Sequence, residues 1–264
     1  MDGSAANTPT DGIEAPTGVG SAFVSAWAWV MIFTTAAVGA LVQIPLALLT
    51  WPFDRSRRIA GGWVRLLAVF AVRLHPTWRF AVHGPAPRAL PKRTVVVSNH
   101  VSNSDVFLIY QLPWEMKWMS KRSLFFVPFI GWLAFFAGFI PVVRGDKASA
   151  RRALDRSARY LDRGVPVFIF PEGTRSETGE MLPFKDGAFR LAIRSGAEVL
   201  PVAVAGTRPA LPKHSWRFGH ARALVTVGEP IPTRGMTLDD LERLKTETRA
   251  AIAALRDRIA PLAG

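Results

Sequence analysis

Two short loops concentrate the residues able to do chemistry. Ser98-Asn99-His100-Val101-Ser102-Asn103-Ser104-Asp105 sets an imidazole five residues ahead of a carboxylate, directly after the β-branched run Val95-Val96-Val97. Pro171-Glu172-Gly173-Thr174-Arg175-Ser176 follows a second apolar run, Val167-Phe168-Ile169-Phe170. Each run reads as a buried strand that delivers polar residues at its C-terminal end, the edge where open α/β sheets build their sites. A neutral imidazole accepts a proton from an alcohol near pH 7 when its other nitrogen is held in one tautomer. His100 is suited to that task, and Asp105 is placed to orient it. Glu172 and Arg175 flank Gly173 with a hydrogen-bonding carboxylate and a cation. Together the loops suggest proton abstraction beside an anionic substrate.

Bland readings compete with this one. A lone His-x-x-x-x-Asp spacing arises often by chance, and His100 as a helix cap or core residue is the plain alternative. Its place after a β-branched strand, with a companion loop of complementary chemistry, favours catalysis. Arg144 follows a further expected strand, and Lys121 precedes an aromatic segment. Guanidinium groups hold phosphate oxygens in pairs, which suits a phosphomonoester. A solvated surface charge is the default for any single arginine. Placement at strand ends on the His100 side sets Arg175 apart and, to a lesser degree, Arg144.

No nucleophile accompanies the base. There is no Gly-x-Ser-x-Gly elbow, no His-Glu-x-x-His zinc motif, no Walker loop and no dinucleotide glycine fingerprint. Cysteine is absent, which removes disulfides, thiolate catalysis and Cys-ligated metals. The base must then activate a hydroxyl of the substrate or of water, and neither a metal nor a cofactor is expected.

The elements that must position these residues alternate strand and helix from Pro76 onward. Strands are expected at residues 78–82, 94–98, 139–143, 166–170, 199–205 and 223–227. Helices are expected at 105–111, 147–163 and 187–194, and a last one opens with the Thr237/Asp240 capping pattern. The residues between 124 and 138 form a hydrophobic, aromatic-rich segment with Pro128 and Gly131. Such alternation implies a single α/β domain, a mostly parallel mixed sheet flanked by helices, spanning 76–264.

What precedes that domain is different in kind. Residues 1–20 are small and polar and are expected to form a disordered tail. Residues 21–75 read as a membrane-associated helical segment. No charge occurs between Glu14 and Asp54, and Phe23 to Leu49 is apolar apart from Ser25, Thr34, Thr35 and Gln43. About 20 such residues suffice to cross a bilayer. A cleaved signal peptide is disfavoured, since a basic leading segment is missing and the run is too long. Pro45 and Pro52 also allow a hairpin that enters one leaflet and returns. Ile59 to Leu74 reads equally as an amphipathic helix along the headgroups or as a core-facing helix. Arg55, Arg57 and Arg58 follow the apolar run at once, which places the α/β domain on the cytoplasmic side of the cytoplasmic membrane. The 264-residue chain has a net charge of +13, all its Lys and Arg lying from Arg55 onward. A basic body behind an apolar leader points to an anionic membrane surface, not to nucleic acid.

At this point the motifs resemble a known family. Asn99-His100-Val101-Ser102-Asn103-Ser104-Asp105 resembles the Asn-His-x-x-x-x-Asp motif of glycerolipid acyltransferases, and Phe170-Pro171-Glu172-Gly173-Thr174-Arg175-Ser176 their second hallmark. Lys121 to Trp132 with Gly138 to Gly145 is similar to the middle motif, and Val199 to Val204 to the last, in the same order over roughly residues 61–230. The bacterial 1-acylglycerol-3-phosphate acyltransferases are the most similar subfamily. The resemblance implies transfer of a fatty acyl group from acyl-CoA or acyl carrier protein to the sn-2 hydroxyl of a lysophospholipid acceptor, lysophosphatidate. His100 would be the base and Asp105 its orienting partner, with no acyl-enzyme. Glu172, Gly173, Thr174 and Arg175 would hold the glycerol phosphate, helped by Arg144 and Lys121. The chain departs from the pattern at Val143, where many members carry an aspartate. Another acceptor, such as glycerol-3-phosphate or a lyso-ornithine lipid, is the alternative within the family. A non-catalytic membrane-binding protein is the alternative outside it.

Overall fold

The computed structural model describes residues 17–91, 93–212 and 214–263. Two helices come first, α1 (Val19–Thr50) and α2 (Arg58–Leu74). Strands β1 (Trp78–Val82) and β2 (Thr94–Ser98) follow, then α3 (Asp105–Ile109) and β3 (Lys117–Lys121). Next are α4 (Ile130–Phe136), β4 (Ile140–Val142), α5 (Lys147–Asp162) and β5 (Val167–Ile169). The chain ends with α6 (Gly187–Ser195), β6 (Glu198–Ala205), β7 (Ala221–Val227) and α7 (Leu241–Ile259). The strands form one sheet in the order β1-β7-β6-β2-β5-β3-β4. Every neighbouring pair is parallel except β6 with β7, so the sheet is mixed and mostly parallel.

Burial on both faces explains why the central strands read as unbroken apolar runs. Alternate side chains point to opposite sides. Val95, Val97, Val167, Ile169 and Val199 enter the core beneath α5, α6 and α7. Val96, Phe168, Leu200 and Val202 enter the core on the other face, with Ala68 of α2 and Leu108 and Ile109 of α3. Because β2 lies between β5 and β6, its C-terminal loop emerges beside theirs. The β3 and β4 ends lie beyond β5 on the same edge.

β3 is the strand that the sequence pattern does not predict. It begins and ends in lysine, and Lys117 is nevertheless fully buried. All three of its ammonium protons have acceptors: Glu115 Oε1 at 2.5 Å, Arg57 O at 2.9 Å and Ala137 O at 2.9 Å. Arg57 belongs to the turn between α1 and α2, so this buried cation ties the N-terminal helices to the sheet.

The α1 helix runs on through Pro45, and the chain reverses instead over residues 51–57, around Pro52. Ser25, Ala28, Ile32, Ala36, Gly39, Gln43 and Ala47 form one buried stripe at helical spacing along it. That stripe meets α2, α4 and the segment ending at Phe218. Two of the polar residues that interrupt the apolar run find their partners there. Ser25 Oγ accepts from Phe218 N–H at 2.9 Å, and Gln43 Nε2 donates to Leu133 O at 3.0 Å. At Gly39 a Cβ would come within 2.3 Å of Leu67 Cδ1, so the glycine leaves room for the Leu67 side chain between α1 and α2. The opposite side of α1 leaves Phe23, Trp27, Val30, Leu41, Leu48 and Leu49 exposed. By length and composition α1 is able to cross a membrane. It is nonetheless packed lengthwise on its own protein.

Candidate functional site

Asp105, the first residue of α3, is fully buried and accepts on both carboxylate oxygens. Its Oδ2 receives the N–H groups of Val101 at 2.8 Å and Ser102 at 2.9 Å, and faces His100 Nδ1 at 2.8 Å. Its Oδ1 receives the hydroxyl of Thr207, from the loop after β6. A carboxylate accepts only, so Nδ1 must carry the ring proton and Nε2 is left as the basic nitrogen. The ring stacks on Phe170 with centroids 3.8 Å apart and planes 11° from parallel. Its tautomer and its plane are thus both fixed by neighbours.

The serine hydroxyls around His100 are committed elsewhere. Ser102 Oγ donates to Leu211 O at 3.0 Å, Ser104 Oγ to Ser102 Oγ at 2.9 Å, and Ser98 Oγ to Asn99 O at 3.1 Å. Asn99 spans the β2 and β6 ends, donating to Val204 O at 3.0 Å and accepting from Val204 N–H at 2.9 Å.

Glu172 is buried, and both its oxygens accept backbone amides: His100 N–H at 2.8 Å and Leu182 N–H at 2.9 Å. Burial raises its carboxyl above the ordinary value, and those two amides offset part of the rise. Ser176 N–H donates back to His100 O at 2.8 Å, so the two loops are stitched in both directions. The glutamate expected to meet the headgroup therefore spends its oxygens holding the base-bearing loop.

The cations gather on the other side of His100. A cavity of about 320 Å³ is lined by His100, Phe170, Gly173, Lys121, Arg144 and Lys185. Lys121 ends β3, and Arg144 follows β4 by two residues. Gly173 has φ +69°, and a Cβ there would lie 2.9 Å from Lys185 Nζ, so glycine makes room for that ammonium. Arg175, half-buried in the same loop, does not line the cavity. Burial lowers its pKa first, and the charge of Arg144 lowers it further, while Asp105 acts in the opposite sense. Arg144 is lowered by burial alone. The guanidinium groups thus share one positive field at the His100 edge, and Thr174 lies between Gly173 and Arg175.

Residues 79–205 match the family model described as Acyltransferase. The chain carries an acyltransferase-family domain. It is 36% identical over 173 residues to a 1-acyl-sn-glycerol-3-phosphate acyltransferase of Chlamydomonas reinhardtii, an alignment covering 65% of this chain and 51% of that protein. It is 35% identical over 157 residues to the human 1-acyl-sn-glycerol-3-phosphate acyltransferase alpha, covering 59% of this chain and 56% of that protein. The chain therefore spans little more than half the length of these curated relatives. Among solved structures, the 1-acyl-sn-glycerophosphate acyltransferase PlsC of Thermotoga maritima shares the fold, with a TM-score of 0.69 and 23% identity. That match covers 88% of this chain and 94% of the other. The acyltransferase domain thus contains both motif loops and the ends of β2 to β6.

Three members of the site were not singled out from sequence. Phe170 reads only as the last apolar residue of a strand. Thr207 reaches Asp105 from 102 residues away, and nothing local marks it. Lys185 gives a faint signal, since a cation just ahead of a helix start runs against the helix dipole.

Proposed function

We propose that this protein acylates the sn-2 hydroxyl of 1-acylglycerol-3-phosphate from a fatty acyl thioester, acyl-CoA or acyl carrier protein, to give phosphatidate. One observation carries the reading: an oriented imidazole opens onto a cavity whose other walls carry Lys121, Arg144 and Lys185. A phosphomonoester seated on those cations presents a glycerol hydroxyl to His100 Nε2. Arg175 adds to the field that holds the phosphate, and the turn of Gly173 and Thr174 shapes its seat. His100 takes the hydroxyl proton as the oxygen attacks the thioester carbonyl, and Asp105 stabilises the imidazolium that forms. The tetrahedral intermediate collapses, the C–S bond breaks, and the thiolate leaves with the proton from His100. Direct transfer fits serine hydroxyls that are all occupied by other bonds. Glu172 acts as a positioning residue, holding the backbone of His100.

The acceptor is a lipid, and the exposed apolar side of α1 continues onto Leu66 and Phe70 of α2. A surface of that extent suits immersion in one leaflet. The basic α/β body then sits on the cytoplasmic face of an anionic membrane.

The deciding experiment offers lysophosphatidate and acyl-CoA, or acyl carrier protein, to the purified full chain and identifies the product by mass. Phosphatidate is expected, and His100→Ala should lower kcat by about 10²–10⁴-fold while the protein stays folded. Turnover only on glycerol-3-phosphate or a lyso-ornithine lipid would replace the acceptor. Undiminished turnover by the variant would remove the base.

A further inference from the structure

We infer that a groove between α5 and the edge strand β4 seats the nucleotide head of a coenzyme A thioester, an inference that rests on the donor half of the reaction proposed above. The groove has a volume of about 450 Å³ and is lined by Arg122, Arg152, Arg156 and Arg159 over an apolar floor that includes Ile140 and Pro141. Asp146 and Asp155 share its wall, leaving cations in excess. Asp146 is engaged in starting α5, accepting from Ser149 N–H at 3.0 Å. None of the four arginines makes an ion pair among the described residues. On α5, Arg152, Arg156 and Arg159 stand at four- and three-residue spacing, where like charges repel. Asp155, three residues after Arg152 and four before Arg159, offsets part of that repulsion, and a bound polyanion would offset the rest.

Position decides between anions. The groove shares Val143 and Asp146 with the His100 cavity, so the two meet at the loop after β4. The groove opens between α5 and the edge strand β4, and it shares no residue with the groove that exposed apolar side chains of α1 and α2 line. A soluble ligand reaches such a place more readily than a bilayer headgroup does. Coenzyme A brings a 3′-phosphate, a diphosphate and an adenine. Arginine planes pair with the phosphates and stack on the base, and the volume lies within the usual range for small-molecule sites. A carrier protein's arm has one phosphodiester and no base, and would leave the apolar floor unused. From this seat the pantetheine arm runs past Val143 to bring its thioester to His100.

The test titrates coenzyme A and 3′-dephospho-coenzyme A calorimetrically into the detergent-solubilised full chain and into an Arg152→Gln/Arg156→Gln double variant. Both side chains reach solvent, so the variant is expected to fold, which circular dichroism verifies. Wild type should bind coenzyme A at least about tenfold more tightly than the variant does. Removing the 3′-phosphate should weaken binding to wild type and make little difference to the variant. Equal binding by both proteins, or no binding at all, overturns the groove. A wild type that takes acyl groups only from carrier protein overturns it too, and leaves acylation of lysophosphatidate standing. Arginine-dependent binding of coenzyme A without any transfer to lysophosphatidate has the opposite meaning: the groove stands and the acceptor reading falls.

Discussion

Both oxygens of Glu172 are taken by backbone amides 2.8 and 2.9 Å away, one of them that of the base itself. In the proposed reaction a residue so placed has its role through His100 and not through the headgroup. Glu172→Gln retains one carbonyl oxygen but turns an amino group toward the second N–H. Leaving that buried donor unpaired should cost about 1–3 kcal/mol of stability. Kinetically, kcat should fall as the base-bearing loop shifts, while KM for lysophosphatidate stays within about twofold. A large rise in that KM at constant kcat would instead mean direct headgroup contact. The pH dependence supplies an independent check. Because burial raises this carboxyl above 4.5, the folded protein retains a proton there that the unfolded chain has already released. Its contribution is therefore complete below 4.5 and is lost as pH climbs through the raised value. Thermal melts across that window should slope downward for wild type and be flatter for the glutamine variant. The sequence made His100, Asp105 and Glu172 visible because each lies at a strand end beside the residues it serves. Thr207 and Phe170 gained their roles only from the order in which the strands pair.

The elements that were legible are those whose environment is uniform. β2, β5 and β6 are apolar throughout because both faces are covered, and α5 shows its two sides because one faces water. β3 was hidden because its burial rests on a cation, and a pattern of hydrophobicity does not foresee a lysine whose three protons all meet acceptors. Pro45 misled in the other direction. It permits a break, but packing against α2 and α4 keeps α1 continuous, and the bend falls at Pro52. The buried lysine gives this scale its prediction. Burial raises the Glu115 carboxyl and lowers the Lys117 ammonium, each partly offset by the other. Lys117→Met strands Glu115 together with the carbonyls of Arg57 and Ala137. It should destabilise the fold by about 3–5 kcal/mol. Adding Glu115→Gln should recover part of that loss, measured by denaturant unfolding in detergent. Additive losses in the double variant would mean that the pair is not coupled.

For the molecule as a whole, three kinds of surface are separated. The His100 cavity occupies the C-terminal edge of the sheet, an arginine groove lies between α5 and β4, and apolar side chains are exposed on α1 and α2. The buried stripe of α1 bears on how that apolar surface meets lipid. A helix crossing the bilayer on its own would have to give up Gln43 to Leu133, Ser25 to Phe218 and the close contact at Gly39. Lying along the protein, it keeps these contacts and still leaves its other side exposed, as the proposed immersion in one leaflet requires. Phe23, Leu41 and Leu48 are 73%, 71% and 63% exposed on that side, so they contribute little to folding. Replacing all three with glutamate should leave the thermal melt nearly unchanged. Half-immersion of such side chains is worth about 1 kcal/mol each, so partitioning onto anionic vesicles should fall by about a hundredfold. Sedimentation with the vesicles reads that loss. Transfer to a short-chain, water-soluble lysophosphatidate should persist in the same variant, while transfer to vesicle-borne acceptor declines with binding. If the glutamates instead unfold the protein, α1 holds the fold by its outer side, and the leaflet assignment fails.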